Sequence, residues 1–198
     1  LDCNDDTCGL QSEVSFLVAT GSVYTLQLGN FPGASGGTGS FDITIAPVTV
    51  ATPMCFGDGS GNPCPCTKNG GAGEGCANTT GAGGLLGFSG SNSVAADDLV
   101  LLGSNLPVNQ TGVFLQGSVD LGGVPFRDGL FCMGDPTVRL QPAVIDHTGN
   151  THTVAMIAFH GRVNPGDTKY YQLWYRDPGG PCSNGSNLTN GLEVIWQP

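Results

Sequence analysis

Short runs in which apolar and polar residues alternate recur along the whole chain, and this period of two is the pattern of β-strands with one buried face. Within residues 1–46 the alternation occurs in three runs, separated by glycine-rich turns. The apolar residues that share a face in these runs are Val14, Phe16 and Val18, then Tyr24, Leu26 and Leu28, then Phe41, Ile43 and Ile45. The pattern predicts a smaller N-terminal β segment over residues 1–46.

After this segment, Pro47 and Pro53 bias their neighbours toward extended backbone, so we interpret residues 47–54 as an extended linker or an edge strand. Residues 55–198 continue as a Cys-rich loop followed by eight short strand-like runs. These runs lie near residues 84–89, 98–102, 112–117, 129–133, 137–141, 152–159, 169–176 and 192–196. The sequence therefore predicts an all-β fold, an antiparallel β-sandwich with a disulfide-rich loop.

The run at residues 169–176 has aromatic residues on both of its faces. One face carries Tyr171, Leu173 and Tyr175, and the other carries Tyr170, Gln172, Trp174 and Arg176. We interpret the run as a central core strand with Trp174 packed against the second sheet, rather than as a platform on which sugars stack.

Composition and charge exclude several classes of protein. The chain has 33 Gly and 13 Pro in 198 residues and only 11% charged residues, which disfavours helix-rich folds. Its formal charge is −10, and its six Lys and Arg residues are not clustered, which excludes nucleic acid as a partner. No apolar run reaches the ~18 residues that a membrane-spanning helix needs, so we expect no membrane insertion.

The eight cysteines are even in number, which predicts disulfides and an extracellular, secreted or cell-surface protein. Four of them lie within residues 55–76 at the spacing C-x8-C-x-C-x9-C. The central C-x-C suits tetrahedral zinc poorly, so two disulfides are favoured there, and four cysteines allow three pairings. The favoured bridges over the whole chain are Cys3–Cys8, Cys55–Cys66, Cys64–Cys76 and Cys132–Cys182.

Candidate catalytic chemistry is sparse. His147, His152 and His160 lie close together in sequence, but no nucleophile elbow such as G-x-S-x-G accompanies them. With only three glutamates, paired acids for a hydrolase are also lacking. We interpret the histidines as surface residues and predict a chain with no enzyme activity, no catalytic residue and no cofactor.

The sequence also contains candidate calcium loops and candidate glycosylation sites. Asp58 and Asp5 begin short stretches of oxygen-bearing side chains typical of calcium loops, but neither stretch has the acidic twelfth residue of an EF-hand, so no metal is assigned. Four N-x-S/T sequons predict candidate glycosylation sites at Asn78, Asn109, Asn184 and Asn187.

Two parts of the chain resemble known modules. VSFLVATGSVYTLQLGNFPGASGGTGSFDITI resembles the second half of the bacterial pre-peptidase C-terminal type of β-sandwich, which implies a non-catalytic part of a secreted protein. Within residues 55–198, GEGCANTTGAGGLL, ADDLVL, PFRDGLFC, PGDTKYYQLWYRDPGGPC and NLTNGLEVIW resemble a Cys-containing repeat module of large secreted bacterial proteins of unassigned function. The second resemblance implies no chemistry.

Two functional hypotheses follow from these observations. In the first, the chain is an extracellular structural protein, a subunit of a bacterial surface filament or fibril assembled through β-strand contacts with other copies of itself. The apolar residues of segment 1–46 favour it, because so small a segment must dock on another surface to be stable. In the alternative, the chain is a non-catalytic carbohydrate-binding or adhesion module that has glycans as partners.

Overall fold

A computed structural model describes residues 49–198 without a gap, together with residues 14, 16, 18, 22–27, 29, 33 and 35–44 of the preceding part. The chain divides into two compact units, Leu1–Ala46 and Pro47–Pro198. Among the described residues no helix is both long and apolar enough to cross a membrane.

The described residues of the first unit are not in strands, although the alternation predicts three. The large apolar side chains among these described residues are exposed to solvent, from 40% at Val14 to 95% at Val23. The rings of Phe16 and Tyr24 lie 5.6 Å apart, measured between centroids. A short alternating segment is a stable strand only with a partner for its backbone and cover for its apolar face. The predicted strand residues Leu28 and Ile45 lie outside the described set.

The regular secondary structure of the second unit is almost entirely β-strand. The strands are β1 (Thr52–Met54), β2 (Leu85–Ser89), β3 (Val100–Ser104), β4 (Thr111–Gly117), β5 (Val119–Phe126), β6 (Gly129–Gly134), β7 (Val138–Val144), β8 (Thr151–His152), β9 (Thr168–Arg176), β10 (Ser186–Leu188) and β11 (Gly191–Ile195). A single helical turn, α1 (Ile157–Gly161), lies between β8 and β9, and a 3₁₀ turn covers Pro65–Thr67 in the Cys-rich loop.

The strands form one large sheet and two small ones. The main sheet has the order β1-β11-β9-β4-β7, with β10 also paired to β9; the second sheet is β2-β3-β8, and β5 and β6 form a hairpin. Every pairing between these strands is antiparallel. The predicted fold class, an all-β antiparallel architecture with a disulfide-rich loop, is confirmed.

The hydrophobic core lies between the main sheet and the second sheet. Tyr171, Leu173 and Tyr175 of β9 are fully buried in it together with Trp196, whose indole nitrogen donates to the Tyr171 hydroxyl at 3.0 Å. On the opposite face of β9, the buried Gln172 side chain donates to the Leu130 carbonyl at 2.8 Å and accepts from the Cys132 amide at 3.2 Å. These bonds attach the β5–β6 hairpin to the main sheet as a third layer.

Two stretches depart from the sequence prediction. The strand predicted at 152–159 is wrong beyond His152, because the Asp97 carboxylate accepts the amides of Ala158 at 2.8 Å and Phe159 at 3.0 Å and so fixes the turn α1. Residues 52–54, predicted as linker or edge strand, form the edge strand β1 beside β11.

The outer edges of strands β7 and β2 are protected against pairing with a further strand. Pro142 lies within the edge strand β7, and the neighbouring Gln141 side chain bonds both the amide and the carbonyl of Val154. On β2, the Asn190 side chain accepts the Leu86 amide at 2.7 Å and donates to the Leu86 carbonyl at 3.1 Å. A proline and side chains that occupy backbone groups are known protections against edge-to-edge pairing.

Candidate docking cleft beside Trp174

A cleft of about 300 Å³ lies between the β5–β6 hairpin and the outer face of the main sheet. Its lining residues are Leu115, Phe126, Phe131, Thr137, Arg139 and Trp174. They come from β4, from the β5–β6 hairpin, from β9, and from β7 together with the residue that precedes it. The cleft exists because the hairpin covers part of the main sheet and leaves the rest of that face open. We call it the Trp174 cleft.

The alternation of β9 explains why Trp174 faces this cleft. Leu173 and Tyr175 are directed into the core, so the residue between them projects from the opposite face of the sheet. There its ring meets the Phe126 ring edge-on at 5.9 Å, and Phe126 in turn lies 5.7 Å from Phe131. The prediction that Trp174 packs against the second sheet is therefore wrong, whereas the predicted division of β9 into two faces is confirmed.

The indole nitrogen of Trp174 is buried and has no hydrogen-bond partner within the part of the chain that the structure describes. A buried donor without an acceptor costs about 1–3 kcal/mol, which is why almost all buried donors in folded proteins are paired. The unpaired N–H therefore belongs to a residue that lines the cleft but is itself closed to solvent, so an acceptor reaches it only if the indole ring or its neighbours shift.

Positive charge surrounds the aromatic walls. Arg139 lines the cleft, and the Arg127 guanidinium lies 5.9 Å from the centroid of the Phe126 ring, in a cation–π arrangement. Arg176 projects from the same face of β9 as Trp174. Arg139 and Arg127 therefore place two positive charges at or beside the cleft.

An apolar strip on β5 adjoins the hairpin wall of the cleft. Val119, Leu121, Val124 and Phe126 are each 40–48% exposed, although large apolar side chains usually avoid water. The glycine pair Gly122–Gly123, with φ of 64° and 90°, interrupts the β5–β6 register in the middle of the strip. Such a bulge re-aims the side chains that flank it.

A second cleft of about 280 Å³ is chemically plainer. It is lined by uncharged and non-aromatic residues, namely Thr79, Thr80, Pro107, Val108, Gln110, Pro178 and Gly179. It offers neither stacking surfaces nor charge, so the Trp174 cleft is the better candidate site.

The disulfides differ from the favoured pairing at two of the three described bridges. Cys64–Cys76 is present as predicted, with Cα atoms 5.7 Å apart. The predicted Cys55–Cys66 and Cys132–Cys182 bridges are wrong, because the structure pairs Cys55 with Cys132 and Cys66 with Cys182 at Cα separations of 5.9 and 5.8 Å. One bridge, Cys64–Cys76, therefore closes the loop on itself, and the other two tie it to the hairpin and to the segment after β9. Cys3 and Cys8 lie outside the described residues.

Two of the candidate glycosylation sites are structural instead. The Asn78 amide nitrogen is buried and donates to the Asn105 carbonyl at 2.8 Å, and the fully buried Asn187 nitrogen donates to the Ala77 carbonyl at 2.9 Å. A glycan on either nitrogen would break these bonds and would need space that the core lacks, which corrects the prediction at both residues. The other two sequon residues, Asn109 and Asn184, are exposed.

The remaining candidate residues are not brought together into a reactive group. His147, His152 and His160 are all exposed, as the sequence indicates. Asp58 accepts amide hydrogens from Ser60 at 2.9 Å and Gly73 at 2.8 Å, so it orders its own loop, and Asp5 is outside the described residues. No group of three or more His, Cys, Asp or Glu residues in the described ranges is arranged to hold a metal ion.

A buried acidic pair is a feature that sequence reasoning missed. Asp128 and Asp177 are both almost inaccessible to solvent, and the loop glycine Gly180 lies against both of their carboxylates. Asp128 accepts the Asn184 amide at 3.0 Å, while Asp177 accepts from the amide and hydroxyl of Thr79. Burial, opposed by the Thr79 bonds, raises the pKa of Asp177, and the nearby Asp128 charge raises it further. In sequence both residues look like ordinary turn aspartates.

The chain matches no known protein family, no curated protein and no solved structure. Both resemblances described from its sequence motifs therefore stay predictions.

Proposed function

We propose that the chain is an extracellular structural protein, whose copies assemble into a surface filament or fibril by docking the N-terminal segment of each copy on the next. The observation that carries this proposal is the exposure of the apolar faces of the first unit, where Phe16, Leu26 and Ile43 are 54%, 57% and 74% exposed. Contiguous exposed apolar surface on a soluble protein commonly marks an interaction site.

The placement of the apolar surfaces within the chain favours a fibre over a closed dimer. The N-terminal segment and the exposed strip on β5 belong to different parts of the sequence, so a contact between them on two copies is head-to-tail. Head-to-tail contacts produce filaments whenever their rotation does not close a ring. Because β7 and β2 are blocked at their outer edges, the docking surface is a sheet face or cleft rather than those edges.

The disulfides support the extracellular part of the proposal. Three bridges join the loop of residues 55–76 to itself, to β6 and to the segment after β9. Disulfides of this kind persist in oxidising compartments and are rare in the cytosol.

A carbohydrate-binding or adhesion function is the second candidate, and the Trp174 cleft is the specific observation that favours it. Aromatic walls, Arg139 in the lining and Arg127 over the Phe126 ring are chemistry that a sugar could use. Binding of the soluble chain to a glycan array, lost on substitution of Trp174, would support this second function and not the first.

The proposed assembly is tested with the full-length chain and two triple variants. Phe16→Ser, Leu26→Ser and Ile43→Ser together remove apolar side chains of the first unit, while the matched control Val108→Ser, Val154→Ser and Phe159→Ser removes side chains that are 48–71% exposed in the second unit. We expect sedimentation and electron microscopy to show fibres for the native chain and the control, and a species of about the 20.2 kDa chain mass for the first variant. A native chain that stays monomeric, or fibres that survive the first variant, contradicts the proposal.

A further inference from the structure

We infer that the Trp174 cleft of one copy receives the apolar residues of segment 14–45 from a second copy, an inference that rests on the proposed assembly. The cleft and the segment are both exposed apolar surfaces of the same chain.

Shape and spacing agree with this pairing. An extended segment carries its apolar side chains on one face at every second residue, about 7 Å apart. Phe126 belongs both to the cleft wall and to the exposed strip of β5, and Val124 lies two residues before it on the same strand, so a side chain that enters beside Trp174 brings a neighbour in its row toward Val124. At about 300 Å³ the cleft is at the lower limit of ligand pockets, a size suited to one anchoring side chain and not to a large cofactor.

The aromatic walls of the cleft suit an apolar side chain of a polypeptide. Trp174, Phe126 and Phe131 form these walls, with the Trp174 and Phe126 rings 5.9 Å apart and the Phe126 and Phe131 rings 5.7 Å apart. An apolar side chain that enters between them removes its own surface and theirs from water, which favours docking.

Opposite charges favour contact between the N-terminal segment of one copy and the cleft of another. Residues 1–46 contain no Lys or Arg and carry five carboxylates; Asp42 lies within segment 14–45, and the other four, Asp2, Asp5, Asp6 and Glu13, precede it. Arg139 lines the cleft and Arg127 lies over the ring of its Phe126 wall, and opposite charge across an interface raises the association rate and suppresses wrong pairings. Like-charge repulsion disfavours contact between two N-terminal segments for the same reason.

Photocrosslinking of the otherwise native chain locates the occupant. A photoreactive p-benzoyl-phenylalanine replaces Thr137 in the cleft or, as the control, Phe159 on α1. Chains labelled with nitrogen-14 and nitrogen-15 are mixed, assembled, irradiated and digested. We expect isotopically mixed adducts between residue 137 and peptides from residues 14–45, and no such adducts from residue 159. Adducts within one copy only, or adducts with other segments, overturn the inference.

Substitutions in the cleft provide a second readout that does not depend on crosslinking. Phe126→Ser is compared with Phe159→Ser, and Arg139→Glu with Arg162→Glu, after each variant is shown to keep the native near-ultraviolet circular dichroism. We expect the first member of each pair to raise the critical concentration for assembly at least about tenfold, because aromatic and arginine anchors dominate interface energy. The controls should assemble like the native chain.

The outcomes separate this inference from the proposed function. If the native chain assembles but the cleft variants assemble equally well, the cleft assignment is wrong and the assembly proposal stands. If the native chain does not assemble, both are wrong. If the cleft binds a glycan and fibres form without mixed adducts at residue 137, the cleft belongs to the carbohydrate-binding alternative.

Discussion

Buried asparagine side chains replace backbone pairing at several points where strands end or change partner. Asn187 donates to the Ala77 carbonyl and accepts the Leu188 amide at 2.8 Å, and Asn190 closes the free edge of β2. Each carboxamide has both donors and an acceptor, so one buried side chain can satisfy several backbone groups. These residues are structural because their partners are fixed and buried.

Replacing Asn187 with Ala should therefore be costly. The change leaves buried carbonyl and amide groups without partners, and we expect the free energy of unfolding to fall by about 2–4 kcal/mol. The exposed sequon residue Asn184 is the control, and Asn184→Ala should change stability by less than about 1 kcal/mol. Urea unfolding followed by circular dichroism measures both; equal effects would contradict the structural role of Asn187.

Asp58 links loop order to pH. Its hydrogen bonds, first with Gly73 and then with Ser60, lower its pKa from an ordinary 3.8 to about 2. Because the folded-state pKa is depressed, the carboxylate stabilises the fold above about pH 4, and this contribution is lost as the pH falls through about 2. We expect Asp58→Asn to lower the melting temperature at pH 6 and to have little effect at pH 2. A difference that is the same at both pH values would contradict this account.

Among the elements, the disulfides decide how the Cys-rich loop is held. Cys55–Cys132 closes a chain segment of 77 residues and Cys64–Cys76 one of 12. In the chain-entropy description these loops correspond to about 4 and about 3 kcal/mol of stabilisation. We expect the Cys55→Ser, Cys132→Ser pair to lower the free energy of unfolding more than the Cys64→Ser, Cys76→Ser pair does.

Peptide mapping of the unreduced protein checks the disulfide pairing on which that comparison depends. It should recover Cys55 joined to Cys132 and Cys66 joined to Cys182. Recovery of Cys55 joined to Cys66 would contradict the two bridges that tie the loop to the rest of the second unit.

The elements differ in how much of them could be predicted from the sequence. Strands β4, β6, β9 and β11 begin and end within one residue of their predicted bounds, because each has a strong alternation and a turn at both ends. Strand β5 was missed because Gly122 and Gly123 interrupt its alternation. The turn α1 depends on Asp97, which is about 60 residues away in sequence, and no local pattern reveals that contact.

The candidate cleft was largely beyond prediction for a similar reason. The alternation correctly placed Trp174 on the face opposite Leu173, but it did not reveal which element covers that face. The hairpin meets β9 through Gln172 and is joined to the Cys-rich loop by the Cys55–Cys132 bridge, and both are contacts between residues distant in sequence. Side-chain direction is thus a local property, whereas a cleft depends on how the elements pack together.

At the scale of the whole molecule, the distribution of charge is uneven. All six Lys and Arg residues lie between positions 68 and 176, while residues 1–46 carry carboxylates alone. A chain with this arrangement has an acidic apolar end and a cationic apolar cleft, so successive copies have opposite local charges where they are proposed to meet.

The Cys55–Cys132 bridge has a mechanical consequence for such a fibre. Tension that one copy passes to the next would enter the second unit from the N-terminal segment and reach β1, which ends one residue before Cys55. There the disulfide carries the load directly into β6, where Phe131 is a wall of the cleft that holds the following copy. The pulling force would then run along covalent bonds from strand to hairpin, and the hydrogen-bonded sheets and the core beside that path would not have to bear it.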